Sequence, residues 1–320
     1  MTRFLITAKK YLLFILILSF ALVLSTGKYA YAVTDGVKLW ACYLLPSFFP
    51  YLFITAVFSS LPATFSLSEK LSPLTKKLFG VNGSVAYAFM MSVISGYPMG
   101  SKVVADLKTG GYLSERESMT AAALASTSSP AFTVGVVGNI IFRDTLFGVL
   151  LFLVNIVSAI ITGLIFSISK RDKNNRPLSV AHKETPSFYD LTYSSVISIL
   201  VIGGIIALFY LLSEILLSAG VLTPFINVFS SVSGDAETGK AITFGLLEFT
   251  RGLKILGGTA RTVFTLPIAA FLCGFSGLSA VMQSLCYLKK AKIKTAPYLI
   301  SRLTHAVVSF LLALTVSFFL

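Results

Sequence analysis

Apolar residues lie along the chain in long blocks separated by short polar loops. Many blocks reach about 20 residues, and a helix of that length crosses the roughly 30 Å hydrocarbon core of a bilayer. Because lipid offers the backbone no hydrogen-bond partners, such segments span as helices. The roughly ten-residue alternation of a membrane β-barrel is absent from the sequence. The pattern therefore predicts an all-α, polytopic membrane protein.

About seven transmembrane helices are predicted. They lie at about 11–24, 38–61, 115–142, 146–169, 191–219, 261–287 and 297–320. The first has two interpretations, because a basic start, an apolar stretch and Ala30-Tyr31-Ala32 also describe a secretory signal peptide. Residues 1–32 are therefore either part of a retained helix, with a cytoplasmic N-terminus, or a cleaved leader.

Other apolar segments are interrupted. Short arms meet at 95–100 and around 248–252, which predicts two re-entrant hairpins. A mildly amphipathic stretch precedes each hairpin, at 66–79 and at 221–232, and is typical of a helix lying along the membrane surface. The predicted spans at 115–142 and 261–287 are broken at 127–130 and 274–277, which indicates helices unwound at their middle.

The order of span, surface helix, hairpin, broken helix and span occurs twice. We divide the chain into an N-terminal segment (1–37), a first repeat (38–169), a linker (170–190) and a second repeat (191–320). Three full crossings separate the hairpins, so the second repeat is predicted to be inverted. Paired interruptions in two inverted halves indicate the binding site of a transporter.

Composition and charge agree with this class and orient it. The chain is 55% hydrophobic and 12% charged, against about 25% charged for soluble domains. Of its 26 Lys and Arg residues, 19, Arg302 included, fall on the side of the N-terminus and the linker, and 7 on the other. The positive-inside rule assigns the richer side to the cytoplasm. The net charge of +13 is therefore expected to orient the protein and to meet anionic lipid, and no nucleic-acid partner is expected.

Candidate solute-binding residues cluster at the interruptions, because unwinding a helix frees backbone groups that need partners in lipid. A polar solute or an ion can be that partner, and half-helix C-terminal carbonyls favour cations. The first-half candidates are Ser95, Gly96, Tyr97, Pro98, Gly100, Ser101, Thr127, Ser128, Ser129 and Pro130. The second-half candidates are Glu248, Thr250, Arg251, Gly274, Phe275, Ser276 and Gly277. Alternatively, the small residues only allow close helix packing.

Ionisable residues in apolar segments are usually functional. Glu248 and Arg251 are three residues apart and are expected to pair on one helix face, either in the site or as a structural ion pair. His305 is a candidate proton relay because imidazole titrates near neutral pH, or else it bonds to a neighbouring helix. Glu214 is expected at the membrane interface. The sequence shows no catalytic set, nucleotide-binding loop or metal-ligand spacing, so no enzymatic activity, metal or cofactor is expected.

Five motifs in order resemble the sporulation integral membrane proteins of the YlbJ type, within the wider "nucleoside recognition" or Gate domain group. They are Ser95-Gly-Tyr-Pro-Met-Gly-Ser-Lys102, Thr127-Ser-Ser-Pro-Ala-Phe-Thr-Val-Gly135, Gly245-Leu-Leu-Glu-Phe-Thr-Arg-Gly252, Gly274-Phe-Ser-Gly-Leu-Ser279 and Pro297-Tyr-Leu-Ile-Ser-Arg-Leu-Thr-His305. The resemblance implies an endospore-forming Gram-positive lineage and a role in spore formation at a membrane. It also implies an architecture like that of concentrative nucleoside transporters, which pair two hairpins with two broken helices. Those transporters share an acidic residue near the first hairpin tip, whereas this tip carries Lys102, and Ser129 stands where an amide is expected. The resemblance alone therefore implies neither nucleoside specificity nor sodium coupling.

We therefore expect a secondary transporter or channel for a small polar solute, nucleoside-like or other, with or without a coupling ion. The alternative is a non-transporting membrane scaffold or receptor required for spore envelope assembly. Either would be an integral protein of the bacterial cell membrane or the forespore membrane. The identity of the solute, the direction of movement and the oligomeric state do not follow from the sequence.

Overall fold

The computed structural model describes residues 26–167 and 186–319, and every regular element in those ranges is helical. In the first half these are α1 (Thr26–Leu39), the π-helical segment π1 (Trp40–Leu44), α2 (Leu45–Ser60), α3 (Pro62–Phe79), α4 (Gly83–Ser95), α5 (Met99–Thr109), α6 (Glu115–Leu124), the π-helical segment π2 (Ala131–Phe142) and α7 (Thr145–Ser167). In the second half they are α8 (Phe188–Ser218), α9 (Thr223–Ser233), α10 (Ala236–Leu247), α11 (Phe249–Leu256), α12 (Thr265–Phe275), α13 (Gly277–Lys290) and α14 (Thr295–Phe318). The predicted span at 11–24 and most of the predicted linker lie outside the described residues.

The all-α, polytopic prediction is confirmed. Among the described residues, five helical stretches are long and apolar enough to cross a membrane: 29–54, 145–167, 188–218, 265–290 and 295–318. A sixth is reached if the bent pair α3–α4 is counted as one span. The predicted span at 115–142 does not qualify as one helix, because α6 and π2 are separated by non-helical backbone at 126–129. The total of about seven therefore stays a prediction.

The first described span begins earlier than the hydropathy pattern indicates. Helical backbone runs without a gap from Thr26 to Ser60 through π1, whereas the predicted span begins at 38. Polar residues such as Asp35 lower the hydropathy of α1, but Ala32 and Leu39 on its other face are buried. At Gly36 the backbone lies so close to α8 that an added Cβ would be 3.0 Å from the Cα of Ala207. This close packing, which hydropathy does not register, holds α1 in the helical bundle.

Both predicted hairpins are present, each behind a helix at the position of a predicted surface segment. In the first, α4 begins at its N-cap Asn82, ends at Gly96 with a positive φ of 77°, and α5 folds back against it. The second consists of α10 and α11, which meet at Glu248. The 69–79 part of α3 bends by 101° relative to α4. The bend separates this part of α3 from the hairpin arm, and its position along the membrane surface stays a prediction.

Contacts at the two ends of α7 show that the hairpins enter from opposite sides. Next to the base of the first hairpin, Arg116 donates to the Ser167 carbonyl at the end of α7 (2.5 Å). Just before α7 begins, Asp144 forms an ion pair with Arg261, which follows the second hairpin (2.7 Å). The 23 residues of α7, at about 1.5 Å each, separate these two contacts by about 35 Å. The second repeat is thus inverted relative to the first.

Candidate functional site

The two hairpin tips and the first helix break meet around a small cavity. The rings of Tyr97, at the first tip, and Phe249, at the second, lie edge to face with centroids 5.3 Å apart. The cavity has a volume of about 40 Å³. Its polar wall is formed by Ser95, Gly96, Tyr97, Pro98, Ser128, Ser129, Glu248, Thr250, Ser279 and Gln283. Its apolar wall is formed by Leu44, Phe48, Phe132, Ile202, Ile206, Phe249 and Ala280.

Glu248 is the one carboxylate among these lining residues, and only 1% of it is exposed. It ends α10 in extended conformation and serves as the N-cap of α11, where its Oε1 accepts from the backbone N–H of Thr250 (2.9 Å) and from the Thr250 hydroxyl (2.6 Å). Its Oε2 accepts from the hydroxyl of Ser279 on α13. These three hydrogen bonds stabilise a buried acidic group and fix its oxygens at the cavity wall.

Aromatic rings form a continuous part of the cavity wall. Phe132 lies between Phe48 (centroids 5.8 Å apart) and Phe249 (4.9 Å), and Phe249 continues to Tyr97. Ser128 donates to the Tyr97 phenol oxygen (2.8 Å), which ties this wall to the first helix break. The cavity therefore offers both aromatic rings and hydrogen-bonding groups to the same occupant.

Protein side chains satisfy most of the backbone exposed at the first break. The N–H of Thr127 donates to the Ser92 hydroxyl (3.0 Å) on the first hairpin. The N–H of Ser128 donates to Oδ1 of Asn155 (2.9 Å) on α7. The carbonyl of Ser126 accepts from the Arg302 guanidinium (2.6 Å). A solute in the cavity would therefore contact side chains more than unpaired backbone groups. This differs from the expectation that the solute itself provides the hydrogen-bond partners of the interrupted backbone.

Arg302 links both helix breaks. Its guanidinium donates to the carbonyl of Ser126, next to the end of α6, and to the carbonyl of Gly274, at the end of α12. The residue is fully buried, and none of the described carboxylates lies within ion-pairing distance of it. The expectation that Arg302 belongs with the cytoplasmic cations is therefore wrong. In the sequence its position three residues before His305, inside an apolar span, is the signal that marks it.

The structure divides the predicted site residues into three groups. Those that line the cavity are Ser95, Gly96, Tyr97, Pro98, Ser128, Ser129, Glu248 and Thr250. Those that shape the backbone behind it are Gly100, Ser101, Thr127, Pro130, Gly274, Phe275, Ser276 and Gly277. Among these, Gly100 packs against Ser92 and the Ala125 carbonyl, and Ser276 and Gly277 break the second helix with φ of 70° and 66°. Arg251 points away from the cavity.

The expected pairing of Glu248 with Arg251 does not occur. Arg251 forms an ion pair with Glu214 on α8 and donates to the neighbouring Ser213. Glu214 is buried within the protein and also accepts from the Tyr31 hydroxyl (2.6 Å), and its expected position at the membrane interface stays a prediction. The β-like conformation of Glu248 ends α10, and the two side chains therefore do not share a helix face. The ion pair joins the second hairpin to α1 and α8 instead.

His305 is fully buried between two partners. Its Nε2 lies 3.2 Å from the Asn155 carbonyl on α7, and its Nδ1 contacts the Arg302 guanidinium. These contacts agree with the bond to a neighbouring helix that the sequence left open, and its role as a proton relay stays a prediction.

Several lining residues were not among the predicted set. Ser279 and Gln283 follow the second break on α13, Phe132 follows the first break, and Phe48 lies on α2. Asn155, behind the cavity, is an isolated amide in the apolar segment of α7. A polar residue inside an apolar span, or one turn beyond a break, was the available signal for Asn155, Ser279 and Gln283; nothing local distinguishes the two phenylalanines.

Comparison with known proteins supports the fold and the resemblance. No protein-family model matches the chain. The sporulation integral membrane protein YlbJ of Bacillus subtilis (strain 168) is 25% identical over 307 residues, which cover 86% of this chain and 74% of that protein.

Solved structures of CNTnw, a concentrative nucleoside transporter, share the fold. One outward-facing variant superposes with a TM-score of 0.60 at 14% identity, over 95% of this chain and 86% of that chain. A variant in an intermediate state gives 0.54 at 15% identity, over 92% and 84%. The chain is therefore a multi-pass membrane protein with a transporter-like fold and a distant relative of the YlbJ type of sporulation integral membrane protein.

Proposed function

We propose that the protein moves a small polar solute across a membrane during sporulation, as a secondary transporter or channel, and binds that solute in the cavity at the hairpin tips. The observation that carries this proposal is the convergence of both hairpin tips and the first helix break on one cavity that contains a buried carboxylate. A purely structural bundle has no need to unwind helices there, because interrupted backbone in a membrane requires compensating partners.

The cavity walls define the class of solute. Glu248 supplies oxygens that accept hydrogen bonds, and Ser95, Ser128 and Ser129 supply hydroxyl groups. Phe132 and Phe249 offer ring faces to an apolar or planar part of the same molecule. We infer a solute with hydroxyl or amine donors at one end and a planar or apolar group at the other, a description that a nucleoside fits.

The present volume requires a conformational step. A cavity of about 40 Å³ accommodates about three waters, whereas sites for small molecules occupy about 300–1,000 Å³. A second cavity of about 360 Å³ lies on the other side of α11, with Asp35, Arg251 and Lys254 in its wall. Thr250 lines the small cavity and its neighbour Arg251 the larger one, so movement of the second hairpin would join them. We propose this path for solute entry.

Thermal unfolding of the purified protein with a panel of nucleosides, bases, amino acids and dipicolinate tests the proposal. A solute at 100 times its Kd adds about 2.7 kcal/mol of stability. We expect a panel member to raise Tm, and Glu248→Gln to weaken its binding about tenfold or more, since bonds to charged groups contribute about 1.5–3 kcal/mol.

The exposed Glu115 at the start of α6 provides the matched control, because Glu115→Gln removes the same charge outside both cavities. It should leave solute binding unchanged. If folded protein shows no shift across the panel, and Glu248→Gln supports sporulation as well as the native chain does, a scaffold function replaces the transport proposal.

A further inference from the structure

The C-terminal ends of the two interrupted helices bring negative partial charge to the centre of the molecule. The C-terminus of an α-helix carries about half a negative charge, which arises from its unpaired carbonyls. α6 ends at Leu124 and α12 at Phe275, and the carbonyls of Ser126 and Gly274 beside these ends converge on one point. Two such ends together carry about one unit of negative charge. In membrane proteins, unwound carbonyls of this kind commonly coordinate a cation.

The positive charge at this point is supplied by a side chain of the protein, the guanidinium of Arg302. Arg302 donates one guanidinium nitrogen to Ser126 and the other to Gly274, and the side chain is fully buried. Guanidinium is protonated throughout the physiological range, and its planar donors suit two acceptors at once. No described carboxylate pairs with it, so the two helix ends are its counter-charge. One positive charge from the side chain balances two half-charges from the backbone.

We propose that Arg302 takes the place of a bound metal cation at the two helix breaks. Binding of the solute in the cavity then requires neither sodium nor potassium at these carbonyls. A second cation at the same carbonyls would lie beside a fixed guanidinium and be repelled by it. In terms of the proposed function, on which this consequence rests, solute movement follows the gradient of the solute itself and is not coupled to a cation held at these breaks.

The position of Arg302 explains how the guanidinium also organises the site. Its Nη2 contacts His305, whose other ring nitrogen reaches the Asn155 carbonyl, and the Asn155 side chain holds the N–H of Ser128 at the cavity wall. The same residue therefore connects α14, α7 and both breaks. Arg302 is a positioning residue: it does not line the cavity, and it fixes the segments that do.

The test compares thermal unfolding in sodium, potassium and choline chloride at equal ionic strength, without any solute. We expect the native chain to unfold at the same temperature in all three salts. We expect Arg302→Gln to be less stable in choline, and sodium or potassium to restore several degrees of its Tm as the ion occupies the vacated carbonyls. Arg261→Gln, which removes an exposed arginine, should show no preference among the salts.

Two results would overturn the proposal: a sodium- or potassium-dependent rise in Tm of the native chain, or a folded Arg302→Gln protein indifferent to the cation. If Arg302→Gln does not fold, Arg302→Lys, which keeps the charge, must remain independent of the salt. Because these measurements use no solute, a failed search for the solute would leave this result intact, and a cation-dependent native chain would leave the solute cavity intact.

Discussion

At the scale of single residues, Asn155 holds together parts of the site that are distant in sequence. Its Oδ1 accepts from Ser128 N–H, and its carbonyl lies next to His305. Asn155 and His305 each stand ten residues after the first residue of their helices, α7 and α14. The inverted repeat thus places two polar residues at corresponding points, where they contact each other.

We predict that Asn155→Ala lowers the free energy of unfolding by about 1–3 kcal/mol, because the buried Ser128 N–H then lacks an acceptor. Asn227→Ala, on the exposed face of α9, should change it by about 0.5 kcal/mol or less. Chemical unfolding in detergent micelles measures both. Equal effects of the two substitutions would show that Asn155 does not stabilise the break.

The residues that could be predicted from the sequence lie in interruptions that the local pattern marks, whereas those that were missed do not. Glu248 and Ser128 lie inside local interruptions that Gly, Pro and hydroxyl residues mark in the sequence. Arg302, by contrast, binds carbonyls 28 and 176 residues away, and Glu214 binds groups 37 and 183 residues away. Hydropathy and spacing describe single segments, so they cannot reveal which segments supply the partner of a buried charge.

At the scale of elements, the first hairpin and the first broken helix are fitted to each other through Gly100. A Cβ at this position would overlap the Ala125 carbonyl and lie 2.7 Å from the Ser92 hydroxyl. Ser92 in turn accepts the N–H of Thr127. The absence of a side chain at Gly100 therefore allows the hairpin to complete the backbone hydrogen bonds of the break.

We predict that Gly100→Ala destabilises the fold by about 1–3 kcal/mol through overpacking and lowers solute-induced stabilisation, because the tip is displaced from the cavity. Gly135→Ala in π2, where a Cβ meets nothing within 4 Å, should change stability by about 1 kcal/mol or less. Unfolding temperature with and without solute measures both effects. A solute response in Gly100→Ala as strong as that of the native chain would contradict the fitted-hairpin explanation.

Element order was predictable because the period and length of apolar runs reflect the bilayer directly. The start of α1 was not, since its polar face around Asp35 lowers hydropathy while Gly36 provides tight packing on α8. The tertiary contact, and not local hydrophobicity, determines that boundary.

At the scale of the whole molecule, inversion places the bases of the two hairpins on opposite sides of the membrane. Glu237 begins the second hairpin, and Lys294 pairs with Glu115 near the base of the first (3.1 Å). Both side chains are more than half exposed. They are suitable reporters of the two surfaces.

We predict opposite accessibility of these surfaces in intact cells. With Cys42, Cys273 and Cys286 replaced by Ala, Glu237→Cys should react with a membrane-impermeant maleimide from outside, whereas Lys294→Cys should react only after permeabilisation, as the positive-inside rule requires. Labelling of both cysteines from outside would contradict the inverted repeat. Labelling of Lys294→Cys from outside, with Glu237→Cys labelled only after permeabilisation, would show the opposite orientation in the membrane.

The bridge that Arg302 makes between the two breaks also bears on how the protein is assembled. Ser126 is synthesised 176 residues before its guanidinium partner, and Gly274 is synthesised 28 residues before it. Until α14 inserts, these carbonyls lack that partner at membrane depth, where unpaired backbone is costly. The two halves look like repeated modules, yet neither is chemically complete alone. Insertion of α14 is therefore the step that completes the hydrogen bonds of both breaks and joins the two halves.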